Sequence, residues 1–516
     1  MAIIEQLRET FVRAATSWSP VLGQVSPATI VSGLVLVTVP LIVLYRLLLH
    51  PLAWVPGPKI AAVNGLWRTW RYAHGKWHED ILELHDKYGP VVRVAPNEVS
   101  IVDGPTMKKL YGHGKPALKT GWYHTWHNPG VDVMFFAELD PRLHSLKRKR
   151  VSAAYSMSSI LEYEKYMQSS IALCLDKLSK YSRSGQIVDV SVWVQALAYD
   201  VVGELAFGET LGHLETETDV MGIREAIAQI FTLSGVLGHI WGQTMPFLHL
   251  VDLLKLDSPI SKFMKYSSDK VMERQAAPKD ALERKDLLNY FVKMKKFDGS
   301  GPADQKEILV ETTNILAAGA DTTSAGIRAA LYYLGTHPEK LAKLRAAIDH
   351  FYDENNLDQP ITYLQSQKVT YLGAVISETM RLFPSINFQL LRVVPQGGVT
   401  VGKHYIPAGY NVGISPLSQG RDPKLYGETR NDFIPERWED PQQKSMLESY
   451  NMSFGGNGPR GCVGKNLALV EIYKFVAQFV RRFDFEFVNK EKPWEVSSMW
   501  SHNPVNMHMR LRERKL

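Results

Sequence analysis

The sequence predicts a mainly α-helical globular body with small β-sheets, an α+β arrangement, behind one N-terminal transmembrane helix. Helix-spaced apolar positions run through most of residues 75–380. Short β-forming runs beside Gly or Pro sit between and after them. Ahead of both lies 28–45 (ATIVSGLVLVTVPLIVLY), 18 mostly apolar residues, close to the ~20 that cross a hydrocarbon layer. With 516 residues, 45% apolar and 22% charged, the chain can bury a large core and is neither disordered nor fibrous. A formal charge of +6 with no long basic run excludes nucleic acid as a favoured partner. Two cysteines, Cys174 and Cys462, rule out a disulfide scaffold and point to a reducing compartment.

The elements follow in chain order. Residues 1–27 form a short N-terminal segment and 28–49 an uncleaved anchor, because no charge falls between Arg13 and Arg46 and 46–60 holds no small-residue cleavage site. Arg8 and Arg13 nearly balance Arg46 and Lys59, so charge does not orient the anchor. Pro51, Pro56 and Pro58 make 50–60 a linker to the body, 61–516. The spacing predicts helices over 76–89, 160–182, 190–208 and 308–337, with strands over 91–96, 98–102, 398–409 and 483–488. Cys174 lies on an apolar helix face and reads as core. The longest loop-like stretch is 420–460.

The glycine-rich run 454–466 (FGGNGPRGCVGKN) admits three readings. A dinucleotide fingerprint needs a buried strand before it and a βαβ unit around it; 444–454 is polar, and Asp484 and Glu486, near where a ribose-binding acid would stand, have no doubly wound half around them. A P-loop fails because five residues separate Gly458 from Gly464, and Asn466 stands where Ser or Thr should be. The third reading presents Cys462 just before an amphipathic helix over 467–483, whose N-terminus favours a thiolate. One thiolate without Cys or His partners is no zinc site, but it suffices as axial ligand of a haem iron, with Arg460 free to pair with a propionate.

Here the run resembles the haem-binding signature of the cytochrome P-450 haem-thiolate monooxygenases, with Gly458, Arg460, Cys462 and Gly464 in matching places. Glu378 and Arg381 resemble the family's E-x-x-R, and 433–438 (FIPERW) its following segment, whose Arg437 would complete a buried Glu–Arg–Arg network. Read alone, Glu378–Arg381 is equally an exposed i, i+3 bridge. In 318–323 (AGADTT), a Gly, an acid and a hydroxyl interrupt an apolar helix. Alone, this is either a back-bonded Thr with a solvated Asp or a functional break. The resemblance implies the latter, with Thr322 donating toward bound dioxygen and Asp321 gating proton delivery. His144 and Arg148 resemble a W-x-x-x-R helix with His in place of Trp, and Arg392 a further propionate arginine. Phe454 stands eight residues before Cys462, where the family has seven, so the loop must absorb one residue as a bulge.

The resemblance spans the anchor, the linker and nearly all of 60–510, and is nearest to membrane-bound fungal members of the pisatin-demethylase-like secondary-metabolism group. It implies haem b (iron protoporphyrin IX), an NADPH-dependent cytochrome P-450 reductase as electron donor, and a single-pass endoplasmic reticulum protein with a cytosolic catalytic domain. By analogy, 122–136, 231–247, 385–391 and 494–503 line the pocket, and their aromatic character suits a mid-sized, mostly apolar small molecule bearing a few oxygens. Two other activities fit a haem-thiolate chain: isomerisation or dehydration without dioxygen, which Asp321–Thr322 argues against, and a non-catalytic haem or ligand sensor.

Overall fold

The computed structural model describes residues 26–114, 116–127, 132–241, 259–278, 284–297 and 299–515. Arg8, Arg13 and the parts of the expected pocket lining at 128–131 and 242–247 lie outside them. Helix Pro27–Leu44 begins on Ser26, whose side chain accepts from the Thr29 N–H, and passes into a π-helical turn, Tyr45–Leu49. Among the described residues two helices are long and apolar enough to cross a membrane. Ala28–Leu49 is not covered by the protein, whereas Val190–Phe207 is mostly buried and is a core helix. The proline-rich 50–60 segment is docked: Leu52 and Val55 are buried, and Pro56 O accepts from Arg93 N at 2.7 Å.

The larger sheet has the order Val91–Ala95, Glu98–Ile101, Asn411–Gly413, Arg392–Val393. The first pair is antiparallel, the middle pair parallel and the last antiparallel. The two late strands, three and two residues long, are too short to leave a periodic trace in sequence. The run 398–409, expected as a strand, folds back on itself as a hairpin of Val399–Val401 and His404–Ile406. Phe483–Phe487 joins a sheet with Val188–Asp189 and His508–Glu513, and Glu495–Ser498 pairs with His502–Val505.

The helical core is Met157–Ser184, Val190–Phe207, Gln305–Thr336, Thr370–Leu382 and Lys465–Arg482. The long central helix Gln305–Thr336 starts in a capping box between Asp304 and Glu307. Two glycines let it approach its neighbours: a Cβ on Gly319 would lie 3.1 Å from Val202 Cγ2, and one on Gly326 3.0 Å from Ile472 Cδ1. Gly319, expected to mark a functional break, is thus accounted for by close packing in an unbroken helix. The 420–460 stretch is not open loop but a series of short helical segments, Pro423–Tyr426, Gly427–Asn431, Pro435–Trp438 and Pro441–Ser449.

Candidate active site

The loop before helix Lys465–Arg482 presents a sulfur. Cys462 has an exposed side chain although protein surrounds it, so its open surface faces inward. Burial pushes the thiol up, against the Gly464 and Lys465 N–H groups and the Arg148 guanidinium, which pull it down. The helix N-terminus therefore aims its donors at the sulfur without making it a thiolate unaided, and a bound cation would complete the balance. In this loop Gly455 and Gly456 take φ of +80° and +82°, a conformation that favours glycine. Phe454 stays on the cysteine, its carbonyl accepting from Cys462 N at 2.8 Å. A Cβ on Gly458 would lie 1.7 Å from Tyr111 O, so protein backbone dictates that glycine. Gly464 is crowded by nothing but Cys462 Sγ, 3.9 Å from where its Cβ would be.

Cations gather near this loop. Arg148, on helix Pro141–Ser152, donates to Gly461 O at 2.6 Å. Arg392 donates to Tyr123 Oη at 2.9 Å and Leu391 O at 2.8 Å, yet its buried Nε has no partner. Arg460 donates to Ala117 O. Burial and then Arg392 bring Arg460 down to about 10. Burial followed by Lys119, Arg460, Arg148 and Arg392 holds His144 down to about 3, so its imidazole is neutral. Among the described residues the one carboxylate acting on Lys119 is Glu138, which already pairs with Lys147 at 2.8 Å. An uncompensated cluster holding an orphaned guanidinium N–H, beside an accessible sulfur, fits a metal-bearing cofactor with two carboxylates.

Glu378 and Arg381 lie elsewhere, on helix Thr370–Leu382, and are fully buried. Arg381 Nε and Nη2 both donate to the Glu378 carboxylate at 2.7 Å. The remaining Arg381 N–H bonds reach Gly420 O, Arg430 O and Asp432 O, so all five donors are used. Glu378 also accepts from Arg437 Nε at 3.0 Å, Ile434 N at 3.0 Å and Trp438 Nε1 at 2.8 Å.

Midway along the central helix Ala318 is exposed and Thr322 half-buried, an accessible patch on an otherwise buried stretch. Thr322 Oγ1 donates back to Ala318 O at 2.8 Å. Asp321 is not solvated: it points the other way, accepting from Gln195 Nε2 at 2.9 Å and Tyr199 Oη at 3.1 Å, and burial raises its carboxyl above the ordinary range.

The cytochrome P450 family profile matches residues 55–508. The chain is 33% identical over 488 residues to cytochrome P450 monooxygenase gsfF of Penicillium aethiopicum, covering 92% of this chain and 96% of that one. It is 29% identical over 503 residues to a pisatin demethylase of Fusarium vanettenii, covering 96% of each. A cytochrome P450 monooxygenase of Aspergillus terreus is 32% identical, with 84% and 90% covered. The chain belongs to the cytochrome P450 family. It is a P450 monooxygenase, which implies a haem-thiolate cofactor, a redox partner reductase and a small-molecule substrate.

In this P450 the four segments expected around the substrate meet as an aromatic cage. Trp122 stacks on Phe388 at 4.3 Å. Trp126 meets Trp500 at 4.9 Å and Phe231 at 5.7 Å, and His239 meets Phe388 at 5.2 Å. The cage adjoins the patch on the central helix, because Ser385, three residues before Phe388, donates to Thr322 O at 2.6 Å. Trp494 departs from it and stacks on Tyr332 at 3.7 Å. Two surface cavities, of about 250 and about 1000 Å³, are lined by neither Cys462 nor its cations. The sequence reading missed Trp438, Gln195, Tyr199 and Lys119. Trp438 sat inside a quoted motif, and Gln195 and Tyr199 share one face, i and i+4, of an apolar helix; only Lys119 left no local signal.

Proposed function

We propose that this P450 is a haem b monooxygenase anchored in the endoplasmic reticulum membrane by 28–49, with its catalytic body in the cytosol. It takes electrons from NADPH-dependent cytochrome P450 reductase and oxidises a mid-sized, mostly apolar secondary metabolite. The carrying observation is the inward-facing Cys462 sulfur beside cations with too few counter-charges. Cys462 would ligate the iron, and Arg148, Arg392, Arg460 and neutral His144 would hold the cofactor carboxylates. Bound haem supplies activation of dioxygen, with one oxygen atom entering a substrate C–H bond and the other leaving as water at the expense of two electrons and two protons. Thr322 Oγ1, on the accessible patch, would pass a proton once it turns from Ala318 O. Asp321, held by Gln195 and Tyr199, is the store behind it.

The cage supports an aromatic substrate carrying hydrogen-bond acceptors. Its rings suit stacking, and Trp122 Nε1, Trp126 Nε1 and both His239 ring nitrogens are buried without partners among the described residues. The names of the relatives, monooxygenase and pisatin demethylase, agree with oxidation of a small molecule.

Cys462→Ser is expected to lose the strongly red-shifted Soret band of the reduced CO complex, while Cys174→Ser, a buried thiol near Trp193 O, keeps it. An unchanged band in Cys462→Ser would overturn the proposal. Thr322→Val should keep haem content and substrate binding while product formed per NADPH drops roughly tenfold and peroxide rises. A ratio unmoved by the substitution leaves Thr322 a back-bonded helix residue only.

A further inference from the structure

The cation beside the arginines that nothing above uses is Lys119. It is 6% exposed, and Nζ donates to three backbone carbonyls, Phe135 O at 3.2 Å, Phe136 O at 2.6 Å and Glu138 O at 3.3 Å. It also lies over the rings of Tyr123 and Phe136, at 5.1 and 5.7 Å. Those carbonyls belong to the stretch that carries Phe136 into the aromatic cage, and Trp122 and Trp126 lie just beyond Lys119 on its other side. One ammonium thus ties both ends of the cage's leading segment together.

The same residue is wired to the arginines assigned to the cofactor. Its backbone bridges that of Arg392, Leu118 O accepts from Val393 N at 2.8 Å, Arg460 reaches Ala117 O, and Arg392 reaches Tyr123 Oη at 2.9 Å. The charged groups facing Lys119 are Arg392, Arg460 and Arg148, with Glu138 the one acid, and it in turn acts on His144.

We propose that Lys119 is a clasp whose positive charge is sustained by the carboxylates of the bound cofactor, so that seating the cofactor and ordering the aromatic cage are one coupled event. This rests on the haem reading above. Burial and the three arginines bring the lysine down to about 6 when no counter-charge is present. A neutral amine has two N–H bonds and cannot serve three carbonyls, whereas an ammonium has three. Two cofactor carboxylates placed among Arg148, Arg392 and Arg460 cancel the repulsion and restore the third donor. Lys119 is a positioning residue here: it acts on the substrate cage through backbone carbonyls and on the cofactor through charge.

The test uses the full-length protein reconstituted either with haem or with haem dimethyl ester, in which both carboxylates are neutral. Hydrogen exchange is followed in peptides covering 121–126 and 133–138 at neutral pH. With haem, wild type should protect both peptides; with the ester, protection should fall about tenfold in both. Lys119→Met should show the weaker protection with either cofactor, and Lys119→Arg, which keeps a charge, should remain sensitive to esterification. Equal protection of wild type by haem and ester overturns the proposal, as does a Lys119→Met protein protected like wild type. Each arm decides alone, so poor folding of a variant or poor uptake of the ester leaves the other standing. The reduced CO spectrum of the same wild-type sample separates two failures. A missing thiolate band sinks the haem reading, whereas a normal band with unchanged exchange sinks the clasp alone.

Discussion

Around Glu378 and Arg381 every charge meets its partners, whereas Lys119, Arg148, Arg392 and Arg460 crowd around neutral His144 with Glu138 the one carboxylate acting on Lys119 among the described residues. Both clusters are largely buried, so both faced a large desolvation cost when the chain folded. In the first that cost is offset within the protein: five donors reach one carboxylate and all five Arg381 N–H bonds are used. In the second it is not, and Arg392 Nε is left unpaired. The difference teaches that a closed charge network is scaffold, while an open one of a single sign is reserved for something the protein must bind.

The contrast breaks most visibly in the closed network. Glu378→Ala or Arg381→Ala strands a buried charge and should cost about 3–5 kcal/mol, leaving little folded, haem-loaded protein. Trp438→Phe removes one of five donors to Glu378 and should cost about 1.5–3 kcal/mol, read as a lower urea midpoint with the slope unchanged. Normal haem incorporation and thermal stability in Glu378→Ala would demote the pair to an ordinary i, i+3 bridge.

The open cluster should respond with the opposite sign. Arg392→Gln relieves repulsion, so the cofactor-free protein should be no less stable than wild type, while haem dissociation accelerates about tenfold from loss of a charge-assisted contact. Heme transfer to apomyoglobin and thermal melts of the cofactor-free form measure the two sides. A cofactor-free protein destabilised as severely as Arg381→Ala would mean that Arg392 is scaffold as well.

The smallest effect sharpens the comparison through pH. Lys119 is depressed from 10.5 to about 6, so across that window the unfolded chain carries a proton that the cofactor-free fold does not. Stability of that form should therefore rise with pH between about 6 and 10.5. His144, lowered from 6.5 to about 3, adds the same slope in the acid range, where stability is lost as pH falls below 6.5. Haem should flatten the Lys119 slope. Urea melts at pH 6, 7.5 and 9 with and without haem test this, and parallel curves would show that the cofactor does not alter the charge of Lys119.

Much of the site was legible because its marks are local. Cys462 before an amphipathic helix, the three-residue spacing of Glu378 and Arg381, and the polar break at Asp321–Thr322 all lie within a turn or two of chain. Other features of the site have a distant cause. Gly319 looked like a broken helix rule, and Val202 explains it. Gly458 looked like part of a cofactor cradle, and Tyr111 O explains it, more than 300 residues away in the chain. Read alone, Asp321 was equally a solvated acid, and Gln195 and Tyr199 hold it inside the protein instead.

The sequence by itself determined the long apolar N-terminal helix, the other long helices, the order of the motifs and the cysteine set before a helix N-terminus, because hydrophobic periodicity and helix-end chemistry act over a few residues. Only the tertiary structure decided which buried charges are compensated. Trp438 closes on Glu378, Gln195 on Asp321, and Lys119 on the carbonyls of Phe135, Phe136 and Glu138 beside Arg392 and Arg460. Charge compensation depends on distance in space and on excluded water, and neither is a property of a residue's place in the chain.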